Sequence, residues 1–130
     1  MAIKCYCDGS FRNDKGGIGV VAFREKTKLF TIGRRVKVKN NNEAEFLAIM
    51  AGLKALKSKK NEEILVISDS KTVMRELTEH KESHVKKFNE YAVKILKEAK
   101  KFKNLKFKWQ NRETTVDADE VAKNITKKVV

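Results

Sequence analysis

No apolar run in this 130-residue chain approaches membrane-spanning length, and no signal-peptide pattern opens it. The first apolar residues already read as a strand, so the expected compartment is the cytoplasm. There is no lipidation motif. A basic protein that works on a membrane surface usually needs such an anchor or an exposed amphipathic helix. Proline is absent, and cysteine is limited to Cys5 and Cys7. Strand alternation puts both thiols on one face, where a disulfide between them is geometrically poor. No third cysteine exists, and His80 and His84 lie far along the chain. The pair therefore reads as two small buried hydrophobes rather than half a metal site. Linkers, repeats and low-complexity segments are also missing. One domain spanning residues 1–130 is expected.

Acidic residues are few: Asp+Glu number 17 against Lys+Arg 30, a net charge of +13. That excess favours nucleic acid as a partner. Genome base bias is a rival explanation for a lysine- and asparagine-rich, proline-free composition. Against the basic background four acids stand out: Asp8, Glu45, Asp69 and Asp119.

The pattern of elements places them. Ile3 to Asp8 reads as a strand ending at Asp-Gly, with a turn at Gly16-Gly17. Ile18 to Arg24 and Leu29 to Lys39 read as the next two strands. Short turns make the three an antiparallel meander. Asn40-Asn41-Asn42 breaks the pattern, and Glu43 to Lys57 has helical spacing. Glu62 to Ser68 holds a continuous apolar run, as in a central strand buried on both faces. A short helix from Ser70 to about Glu79 and a longer one over about Ser83 to Phe102 follow. Leu105 to Trp109 alternates as a fifth strand, and Asp117 to about Lys127 reads as a last helix. The order predicts an α/β fold: a mixed sheet with helices against it.

Direction then gathers the acids. If strand one runs up, strand four runs up beside it, and Asp8 and Asp69 end both at the top. The first and last helices start there, with Glu45 and Asp119 in their first turns. Ligand sites of open α/β sheets lie at this carboxyl end. Four crowded carboxylates repel, and divalent cations relieve the repulsion. Carboxylates for metal on a basic body follow the logic of metal-assisted phosphodiester cleavage. Each acid also has a plain alternative. Asp8-Gly9 could be a turn, and Glu45 could complete a capping box with Asn42 as N-cap. Asp69 could cap the short helix, and Asp119 could favour the positive end of the last one.

Four short motifs carry a resemblance. Asp8-Gly9-Ser10, Asn41-Asn42-Glu43-Ala44-Glu45, Ser68-Asp69-Ser70 and Ala118-Asp119-Glu120-Val121-Ala122 occur in the order and spacing of type 1 ribonuclease H. The chain resembles a compact member of that family. The resemblance implies a ribonuclease H-like fold, a five-stranded mixed sheet of order 3-2-1-4-5 flanked by helices. It implies a metal-dependent endonuclease that cuts the RNA strand of RNA–DNA hybrids, leaving 3′-hydroxyl and 5′-phosphate ends. Two Mg²⁺ or Mn²⁺ ions, about 3.5–4 Å apart, would be held by Asp8, Glu45, Asp69 and Asp119. Glu43 is the rival of Glu45, and a glutamate there could instead accept from a ribose 2′-hydroxyl. Asn13, Asn41 and Asn42 fall where the family contacts the minor groove, with Ser10 and Lys71 as neighbours, although a polar turn and cap explains Asn40-Asn41-Asn42 equally well.

The chain also departs from the family. The loop from Gln110 to Val116 lacks the histidine that many members carry, and Arg112 is the candidate to act in its place. Thr115 stands where an asparagine is common. His80 and His84 read as surface or helix-end residues. Only His80 to Glu82 separates the two middle helices, too few residues for a basic protrusion, and no hybrid-binding domain is expected before Asp8. Affinity would come from the domain itself. Lys86, Lys87, Lys94, Lys97, Lys100 and Lys101 form a solvated face that could also track phosphates. A monomer without an obligate protein partner is expected. Duplex RNA as substrate, or a catalytically weak nucleic-acid-binding role, are the alternatives.

Overall fold

Strand β1 runs Ile3–Arg12 and does not stop at Asp8-Gly9. The turn into β2, Lys15–Arg24, is made by Asn13 and Asp14, whose φ angles are 52° and 61°. Two successive positive φ values are the signature of a type I′ hairpin turn, and Asn and Asp tolerate that region. Gly16-Gly17, expected as the turn, lie inside β2 opposite Phe11 and Ser10. Close approach explains the glycine at 16. A Cβ there would lie 2.5 Å from Val38 Cγ2 and 2.6 Å from the Val36 carbonyl oxygen.

The structure is a computed structural model that describes residues 2–79 and 86–111, with the backbone alone for 86–89. Asp119, Arg112, Thr115, His80, His84, the expected last helix and the side chains of Lys86 and Lys87 lie outside the described residues. Strand β3, Thr27–Val36, pairs antiparallel with β2 and ends short of Lys39. Strand β4 is Glu63–Ser68 and β5 is Asn104–Trp109. Both pairings, β4 with β1 and β5 with β4, are parallel. The sheet order is β3-β2-β1-β4-β5, as expected.

Helix α1 spans Asn41–Ala55, and a 3₁₀ turn follows at Lys57–Lys59. Helices α2 and α3 span Lys71–Glu79 and Lys86–Ala99. Among the described residues no helix is long and apolar enough to cross a membrane. The core lies between the sheet and α1. Ile3, Cys5, Cys7, Val20 and Ala22 meet Phe46, Ile49, Leu53 and Leu56 there. Phe46 stacks on Tyr91 of α3 with centroids 5.5 Å apart. Such a pair adds roughly 0.5–1.5 kcal/mol beyond its buried area.

Cys5 and Cys7 are free and fully buried, as read from the alternation. Their hydrogen bond and their burial push the Cys7 thiol well above its ordinary range, which keeps it unreactive. Gly52 makes room for them: a Cβ there would sit 3.0 Å from Cys5 Sγ. Ile64, Val66 and Ile67 of β4 are buried, as a two-sided central strand requires.

Candidate active site

The start of α1 sorts two neighbouring glutamates into different jobs. Asn40, not Asn42, is the N-cap: its Oδ1 accepts from the Glu43 N–H at 3.0 Å. Glu43 Oε2 in turn accepts from the Lys39 N–H at 3.0 Å. This reciprocal arrangement resembles a capping box with Glu43, not Glu45, as its acid. Glu43 is only 3% exposed. Through Oε2 it has a helix-starting role, beside the expected contact to a ribose. Because the helix begins at Asn41, Glu45 sits in its second turn rather than its first. Two residues on from Glu43, at about 100° per residue, Glu45 points away from the cap.

Contact with β1 decides where Glu45 goes. A Cβ at Gly9 would lie 2.2 Å from the Ala44 carbonyl carbon and 2.4 Å from Glu45 N. Only glycine lets the helix press so closely on the strand. The Gly9 N–H then donates to Glu45 Oε1 at 3.0 Å. Ser68 Oγ–H donates to Oε2 at 3.0 Å. Phe11 N–H donates to Asn41 Oδ1 at 2.7 Å, a second tie between β1 and the helix.

Asp8 stands two residues past Tyr6–Ile67, the last β1–β4 pair, and is 1% exposed. It lies inside β1 rather than at its end, so the shortness of β4, not the end of β1, opens the space beside it. Asp69 follows directly on β4 and is half-buried. It is not the cap of α2. Ser70 is, since its Oγ accepts from the Val73 N–H at 3.3 Å. One carboxylate oxygen from each of Asp8, Glu45 and Asp69 lies within 4.8 Å of the others.

The crowding registers in Glu45, whose pKa is pushed up to about 7. Burial is the main cause and the charge of Asp69 adds to it, while hydrogen bonds with Asp8, Gly9 and Ser68 oppose it. Three hard oxygen donors, from β1, α1 and the residue after β4, two of them buried, suit a hard divalent cation better than a softer ion. Positive charge is what this cluster lacks. The donor set therefore fits the expected divalent metal.

The remaining expected site residues lie on β1 and its hairpin turn, at the starts of α1 and α2, and on α3 and the turn after it. Ser10 is half-buried on β1, and Asn13 is exposed in the hairpin turn. Asn41 is exposed and Asn42 half-buried at the start of α1. Lys71 is exposed at the start of α2, with Nζ 4.8 Å above the Trp109 ring centroid. Lys94 and Lys97 are exposed on α3, and Lys101 pairs with Glu98 at 3.1 Å.

Three residues escaped the reading from sequence as parts of the site: Ser68, Gly9 and Trp109. For the first two the signal was adjacency to an expected ligand. For Trp109 it was its place as the single tryptophan at the end of the last described strand.

A family model described as reverse transcriptase-like matches residues 6–125. No curated protein matches the sequence. Among solved structures, LC11-RNase H1, isolated from compost by a metagenomic approach, is similar at a TM-score of 0.90 and 27% identity, covering 98% of this chain and 97% of that one. The same LC11 enzyme in complex with RNA/DNA hybrid gives a TM-score of 0.89 at 25% identity, covering 98% of both chains. RNase H1 from the halophilic archaeon Halobacterium salinarum shares the fold at a TM-score of 0.90 and 21% identity, covering 98% of this chain and 99% of that one.

Proposed function

The chain belongs to the reverse transcriptase-like family, and on that premise we propose that it is a metal-dependent endonuclease that hydrolyses the RNA strand of RNA–DNA hybrids, leaving 3′-hydroxyl and 5′-phosphate ends. The observation that carries this reading is the convergence of Asp8, Glu45 and Asp69 at the carboxyl end of β4, beside the central strand β1 of a ribonuclease H fold. Asp119 would complete the set. Two Mg²⁺ or Mn²⁺ ions bound there would supply the charge that activates a water and stabilises the leaving oxygen.

The chain's own groups do the positioning. Gly9 N–H and Ser68 Oγ–H hold both oxygens of Glu45, so its carboxylate faces Asp8 and Asp69 without a search of rotamers. Asn41 spends its Oδ1 on Phe11 and keeps its amide donors for a ribose hydroxyl. Ser10, Asn13 and Asn42 extend that polar edge, and Lys71 supplies a cation for a phosphate. Arg112 would stabilise charge at the scissile phosphate. A single domain would carry both binding and chemistry, acting as a monomer.

Cleavage of matched RNA–DNA hybrid, duplex RNA, duplex DNA and single-stranded RNA tests the reading, first with Mg²⁺ and then with Mn²⁺. The expected result is cutting of the hybrid's RNA strand alone, abolished by EDTA. Preferred cutting of duplex RNA moves the assignment to another nuclease of this fold. Binding of hybrid without cutting any substrate replaces catalysis with a binding role.

A further inference from the structure

Trp109, the last residue of β5, and Gln110 after it hold the stretch that carries Asp69. The β4–β5 ladder ends at the pair Ser68–Trp109. Past that pair the Gln110 N–H donates to the Ser68 carbonyl at 3.0 Å. Trp109 Nε1–H donates to the Asp69 carbonyl, also at 3.0 Å. An indole side chain thus extends the ladder by one residue, to the backbone of the half-buried acid itself. On the ring face, Lys71 Nζ stands 4.8 Å from the centroid. The ring is bracketed by residues on both sides of Ser70: the Asp69 carbonyl at its edge and the Lys71 ammonium over its face.

Trp109 is poorly placed for packing. It is 41% exposed, whereas the core aromatic Phe46 is fully buried. A tryptophan kept for apolar burial would hide more of its surface. What the position does provide is a donor aimed at one carbonyl. Asp69 stands past the end of its strand, where a backbone shift would move its carboxylate away from Asp8 and Glu45.

We propose that Trp109 is a positioning residue for the metal site, fixing the Asp69 main chain through its indole N–H so that the three carboxylates stay within reach of one ion. The inference rests on the metal-site reading above. Groups that orient a ligand in this way typically change metal affinity by roughly 10- to 100-fold when lost. An indirect hold through the ligand's backbone belongs at the lower end.

The experiment replaces Trp109 with 3-benzothienylalanine, a sulfur isostere that keeps the ring and its contact with Lys71 but has no N–H. Trp109→Phe serves as a second, genetically encoded variant. Calorimetric titration of each 130-residue variant with Mn²⁺ alone, and melting in EDTA, are compared with wild type. The expected result is binding weakened roughly 10-fold in both variants. Their metal-free melting temperatures should fall by no more than the few degrees that one exposed hydrogen bond sustains. Wild-type emission should also shift during a Mg²⁺ titration, since its single tryptophan touches Asp69. Unchanged Mn²⁺ affinity in the isostere, or emission that stays constant while calorimetry records Mg²⁺ binding to wild type, overturns the role of Trp109. Wild type that binds neither ion overturns the metal-site reading and the inference with it.

Discussion

Glu45 is pulled in two directions, and the balance has a measurable sign. Burial and the charge of Asp69 favour its neutral form, and the net effect raises its pKa from 4.5 to about 7. A group whose pKa is raised by folding contributes stability that is fully present below its unfolded pKa. The contribution is lost as pH rises through the folded value. In EDTA, wild type should therefore lose on the order of 3 kcal/mol from this group between pH ~4.5 and ~7.5. Glu45→Gln should lose much less over that window, and Mg²⁺ at pH 7.5 should stabilise wild type more than the variant. Urea denaturation at both pH values checks this, and parallel curves for the two proteins would contradict it. That Glu45 rather than Glu43 lies beside Asp8 and Asp69 was legible in the sequence, through the register of the family it resembles and the helix phase. The cap was not, since any of three successive asparagines could serve and only the chain path at Lys39 selects Asn40.

At the scale of elements, one contact decides the geometry: α1 against β1 at Gly9. Gly9→Ala would drive a Cβ into the backbone of Ala44 and Glu45. The helix must shift, at a cost of about 1–3 kcal/mol, and Glu45 moves with it. Chemical denaturation and Mn²⁺ titration should both register the loss; a variant with wild-type stability and affinity would mean that the helix does not rest on this strand. The β1–β2 hairpin offers the opposite test. Asp14 has φ 61° at the second central position of a type I′ turn, where glycine is preferred. Asp14→Gly should raise stability by roughly 0.5 kcal/mol, with unchanged hybrid cleavage. A lower melting temperature would exclude this turn. Glycine pairs usually mark turns, which is why Gly16-Gly17 reads as one from sequence. Tertiary crowding by Val36 and Val38 uses Gly16 inside a strand instead. The strands and the apolar run of β4 were legible because alternation and continuous burial report on faces, while the sheet order came with the family resemblance. Strand ends were not, because hairpin pairing carries β1 past the polar Asp8.

Across the whole molecule, the chain combines a net charge of +13 with a small acidic cluster. Hybrid affinity should fall steeply with salt. If the exposed face of α3 and its following turn meet phosphates, changing Lys94, Lys97 and Lys101 to Gln should flatten the log–log salt slope. The change should be roughly one unit for each phosphate that a lysine no longer neutralises. An unchanged slope assigns those lysines to solubility and moves the footprint to the sheet edge that carries Ser10 and Asn13. If binding rests on the basic surface and cleavage on the carboxylates, Asp69→Asn separates them most directly. The substitution removes charge from the metal cluster and leaves the basic surface intact. Single-turnover cleavage of an RNA–DNA hybrid in Mg²⁺ should slow by at least about 10²-fold, the scale of losing a main electrostatic group, while hybrid affinity and its salt slope stay near those of wild type. Near-normal turnover by folded Asp69→Asn would contradict the account.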